Sequence, residues 1–176
     1  MVLGLLLGDD LRGRPSAATL TWARVHRLTG LAAALAVVLV NSIAVTYFVG
    51  TSRWCKEVVE TYGLPAVLVA RGNRLKRRTF PWAVASMLAV VGVVALGGAS
   101  DPATGRPGTE QWVTWHLLGA LTGLAFVAAS FIVQWNQIYA NHHVIDEVME
   151  HVERIRAERG LSDKANSALG GAKSPM

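Results

Sequence analysis

Two histidines stand where imidazole chemistry at a membrane is possible. His26 and His116 each follow a tryptophan by four positions, in Trp22-x-x-x-His26 and Trp112-x-x-x-His116, and each opens a long apolar stretch. Ionisable groups in such stretches are rare, so a functional reading comes first. If the two tryptophans mark one membrane face, the two imidazoles lie at one depth. Small residues follow on the same helical faces: Gly30 and Ala33 below His26, Gly119 and Gly123 below His116. Two imidazoles at one level suit the axial positions of a b-type haem, and the missing side chains leave room for the macrocycle. The same residues have an explanation without a cofactor. Gly119-Ala120-Leu121-Thr122-Gly123 is a small-xxx-small helix-packing motif, and interfacial histidines can be solvated.

A second polar set lies further along: Gln134, Asn136, Gln137, Asn141, His142 and His143, with Asn41, Ser42 and Thr46 expected at a comparable level on the first helix. Such side chains bridge helices or line a small wet cavity able to hold a quinone or an ion. His142/Asp146 and His143/Glu147/His151 repeat every four residues, a spacing that can chelate a divalent metal. From His143 to His151 is about 12 Å of helix, too far for one ion to reach both. A solvated amphipathic face explains that run. C-x-x-C-H, H-E-x-x-H, a Walker loop and G-x-S-x-G are all missing from the sequence. It offers no autonomous catalytic motif; electron transfer is the most that its residues predict.

These groups need elements to hold them. Three apolar stretches, 29–50, 80–99 and 112–135, are each about 20 residues or more, enough for a helix to cross roughly 30 Å of hydrocarbon. None has a charge in its interior, and the residue usage, 52% hydrophobic, agrees. Backbone groups in lipid must bond internally, so the spans are expected to be helices; period-two alternation, which a barrel needs, is missing. All six tryptophans fall at or near span ends, as an aromatic belt predicts.

Charge sets the expected orientation. Lys and Arg number seven in the first connection and five in the tail, against four before the first span and one in the second connection. Twelve against five places the N-terminus outside and the C-terminus in the cytoplasm. The net charge of +5 is thus accounted for by topology, with no nucleic-acid partner expected. Cys55 is the single cysteine, so no disulfide forms within the chain. Residues 1–7 lack a basic leader and make a poor signal peptide; the first span acts as the insertion signal.

Ser16 reads as a helix cap, with a first helix over about 17–48. Gly63-Leu64-Pro65 breaks the first connection, and Leu64, Val67, Leu68 and Leu75 beside Arg71, Arg74 and Arg78 predict a short interfacial helix on anionic headgroups, or a basic loop. Residues 101–108 form a turn-rich outer loop. Ile138, Asn141, Ile145, Val148, Val152 and Ile155 recur every three or four residues, so the third helix continues to about Arg159 and stops at Gly160. Its seam could pair with a second copy or a partner helix. The expected fold is all-α and membrane-integral: an arm (1–16), three transmembrane helices with an interfacial loop helix and a cytoplasmic extension (17–160), and a disordered tail (161–176).

The run from Trp22 to Leu31, WARVHRLTGL, resembles the H-R-x-[ST]-G opening of the first membrane helix in succinate dehydrogenase cytochrome b subunits. It is similar also to the H-R-x-x-G-L opening of PepSY-type membrane proteins. The first resemblance implies membrane redox work, with Arg27 and Thr29 near a quinone headgroup. The sequence departs from that family in having Ala23 where it has serine, and no histidine in 80–99; the expected N-outside orientation also differs. The reading is a small multi-pass protein of the plasma (inner) membrane, an anchor or accessory subunit. Its expected partners are the lipid bilayer, a second copy or a membrane subunit, with haem b and quinone as the redox elements. The alternative is a non-redox scaffold that recruits lipid or partners.

Overall fold

In the computed structural model the described residues are 15–160; the tail and residues 1–14 of the arm lie outside them. Three long helices account for most of this length: α1 (Ala17–Tyr62), α2 (Val67–Ser100) and α3 (Gln111–Glu158), with a 3-10 turn at Pro102–Thr104. All three are long and apolar enough to cross a membrane. At 1.5 Å per residue they run roughly 70, 50 and 70 Å, well beyond the roughly 30 Å of hydrocarbon. Each therefore has an apolar span and a polar continuation.

Local chemistry explains the ends. Ser16 Oγ accepts from the Thr19 N–H at 3.1 Å, the expected cap of α1. Gly63 takes φ 66° past the end of α1, and the Leu64 N–H reaches back to the Val59 carbonyl at 2.9 Å. That is the Schellman closure, and its usual apolar contact is present, because Leu64 and Val59 share one core. Pro81 lies inside α2 and removes one backbone donor, yet the helix continues through it. α3 stops at Glu158, and Gly160 follows at φ 62°.

The chain folds as two compact units. The first joins the described residues up to Val45 with Phe80–Gln134. Its outer surface is Leu28, Leu35, Leu39, Leu88, Leu124 and Ile132, each more than half exposed, a surface suited to lipid and not to water. Its interior is small and polar: Ala34, Ala44, Ala83, Asn41, Ser86 and Ser130. Helices in lipid gain little from burying leucine; they associate through small residues and hydrogen bonds.

The second unit joins Thr46–Thr79 with the described residues from Trp135 onward. Here the pattern is that of a water-soluble bundle. Cys55 and Val59 of α1, Leu64, Leu68 of α2, and Val148 and Val152 of α3 form an apolar core, with Trp54, Tyr62 and Ile155 against it. Two expectations are corrected. The stretch from Leu64 to Arg78 is no separate interfacial helix: from Val67 it is the first part of α2, continuous with the second span. The seam of Val148, Val152 and Ile155 is covered by this chain's own α1 and α2.

Candidate functional site

The first unit brings His26 and His116 together. Their ring centroids are 6.5 Å apart, with planes at 82°. Both are half-buried. His116 lies over Gly97 of α2: a Cβ there would stand 3.1 Å from its Cε1. Any side chain at position 97 would push the imidazole away. His116 Nδ1 is buried and has no hydrogen-bond partner among the described residues. An orphaned buried nitrogen costs about 1–3 kcal/mol relative to a paired one.

Arg27 and Asp101 close the neighbourhood. Arg27 donates to Asp101 Oδ2 at 2.8 Å, while Asp101 Oδ1 accepts from the Ala103 N–H at 2.9 Å and caps the 3-10 turn. One carboxylate thus ties the 3-10 turn to α1. Arg27, expected near a quinone headgroup, has its guanidinium engaged by Asp101; Thr29 is exposed.

The 6.5 Å spacing of the two rings is near that of two imidazoles on one metal. Metal–imidazole bonds are roughly 2 Å, so two rings on opposite sides of one metal have centres about 6 Å apart. The glycines divide. Gly30 has open space where a Cβ would be. At Gly119 the notch is filled by Leu96 Cδ1, and at Gly123 by Val93 Cγ2, each 2.7 Å from an ideal Cβ. Those two glycines admit side chains of α2, so of the three expected to leave room only Gly30 does so.

The second polar set separates into two networks. In the first unit Gln134 Nε2 donates to Asn41 Oδ1 (2.9 Å) and to Ser130 Oγ (2.8 Å). Asn41 Nδ2 donates to the Val37 carbonyl (2.7 Å) and to Ser86 Oγ (3.3 Å), and Ser130 Oγ donates to the Trp82 carbonyl (3.0 Å). All three helices are joined there. In the second unit Asn141 Nδ2 donates to Tyr47 Oη (3.1 Å) and Thr51 Oγ1 (3.2 Å). Among the described residues Ser42 bonds only its own helix, at the Val38 carbonyl, and Asn136 and Thr46 are exposed. His143 packs edge-on against Tyr139, His142 faces Asp146 at 3.6 Å, and His151 Nδ1 meets the Glu147 carbonyl at 2.7 Å. Among the described residues no three metal-ligating side chains converge.

Gly97, Asp101, Ser86 and Ser130 were not among the expected site residues. Gly97-Gly98 near the end of a span was the available signal, since glycine inside a helix needs a reason. Single serines in a span carry almost none. Comparison with family models, curated proteins and solved structures returns no match.

Proposed function

We propose that this chain is a small multi-pass anchor subunit of the plasma (inner) membrane, in which His26 and His116 would hold one b-type haem. Its second connection faces outside and the bundle of the second unit lies in the cytoplasm. The observation that carries the haem reading is the convergence of two imidazoles from different helices, one with a buried, unpartnered nitrogen. Gly97 keeps His116 in place, Asp101 holds the outer turn against Arg27, and Gly30 has open space where a Cβ would be. If held there, haem would supply one-electron transfer, with quinone as the expected partner in the lipid. The test is the haem content of protein purified after expression with haem supply. His26→Ala and His116→Ala should each lose it, while His143→Ala should retain it. Full haem content in both of the first two variants would refute the assignment.

One observation favours a second reading, a non-redox scaffold. Leu96 and Val93 fill the notches at Gly119 and Gly123, so helix packing alone accounts for those glycines. In that case wild type carries no haem and the histidine variants behave as it does.

A further inference from the structure

The second unit carries a cationic collar at the start of the second span, one without an ion pair among the described residues. Four of the five residues 74–78 are Arg or Lys, and α2 contains no Asp or Glu at all. The neighbouring cations are matched: Arg53 with Glu57 at 2.9 Å, Lys56 with Glu60 at 3.7 Å, and Arg71 with Glu147. Among the described residues no carboxylate pairs with Arg74, Lys76, Arg77 or Arg78.

Helical register gives the collar a direction. Leu68, Gly72, Thr79, Ala83 and Ser86 are buried and define the inward face of α2. Arg74, Arg77 and Arg78 fall on the outward face and are exposed. Further along the same helix Val84, Leu88 and Val91 are exposed as well, the first less than two turns past Arg78. Guanidinium groups therefore stop where an apolar surface starts, the place where phospholipid phosphates lie. Arginine suits them, since its planar fork donates two parallel hydrogen bonds to phosphate oxygens.

We propose that Arg74, Arg77 and Arg78 form a binding site for anionic phospholipid headgroups on the outward face of α2. Adjacency to an apolar span selects a lipid over a nucleic acid, whose backbone has no use for that surface. The site needs the membrane span and is independent of any haem.

The experiment titrates the full chain in detergent with dioleoylphosphatidylglycerol, dioleoylphosphatidylcholine, inorganic phosphate or a DNA duplex, and reads the thermal midpoint of helix loss. Phosphatidylglycerol should raise the midpoint well above the phosphatidylcholine level; phosphate and DNA should not. R74Q/R77Q/R78Q should need roughly ten- to a hundredfold more phosphatidylglycerol for the same rise. R53Q/K56Q, whose cations are already matched, should respond as wild type. Should the triple variant not fold, the wild-type increment must still vanish in about 0.5 M salt, where screening reaches down to a few Å. An equal response to both lipids, an unchanged response in the folded triple variant, a salt-insensitive increment, or a larger shift with phosphate or DNA would overturn the proposal.

Discussion

Glycine substitutions separate packing from open space residue by residue. Alanine in a helix interior is favoured over glycine by about 1 kcal/mol, and overpacking costs about 1–3 kcal/mol. Nothing opposes a methyl at Gly30, so Gly30→Ala should be neutral or stabilise by up to about 1 kcal/mol. At Gly119 the obstacle is the tip of Leu96, which can swing aside, and Gly119→Ala should be nearly neutral. At Gly123 the obstacle is Val93, whose β-branched side chain has one good helical rotamer. Gly123→Ala should destabilise by about 1–2 kcal/mol net. Unfolding by titration with a denaturing detergent, followed by circular dichroism, orders the three; a Gly123→Ala variant as stable as Gly30→Ala contradicts the packing described. The two histidines were legible as a pair because the Trp-x-x-x-His repeat fixed their level. Their neighbours were not: the approach of Gly97 to His116 depends on the register of α2, which no local pattern encodes.

At the scale of elements, the spans were legible from hydropathy and the stop at Gly160 from its residue type. The lengths of α1 and α2 were not. Polar residues after position 50 read as a loop, because membrane hydropathy ends there. The helix continues because Cys55 and Val59 find a core with Leu68, Val148 and Val152, a tertiary reason. The α3 seam was visible as a periodicity, but periodicity cannot say whether the facing helix belongs to the same chain. Cys55 reports on this core. It is 4% exposed, and burial pushes its thiol up from the ordinary value. The neutral thiol is the buried form, so its contribution to stability is intact below the ordinary thiol range and is lost as pH rises through the raised value. Alkylation by a maleimide near neutral pH should be slow in the folded protein and at least tenfold faster in Val148→Asp, which puts a charge into the core. Equal rates in the two proteins would show that the core does not form as described.

For the whole molecule, the charge asymmetry makes a prediction about sides. Ala103 in the second connection and Arg77 at the start of α2 lie beyond opposite ends of the second span. Ala103→Cys should react with a membrane-impermeant thiol reagent in intact cells, and Arg77→Cys only after permeabilisation. The reverse pattern would invert the orientation. The proposal that His26 and His116 hold one haem is tested most directly by a dithionite-reduced minus oxidised absorption spectrum of the purified protein. A sharp α-band of the b type, gone in His26→Ala and His116→Ala, is the predicted result. A flat spectrum from folded, helical wild-type protein made with ample haem would contradict it and leave the anchor role alone.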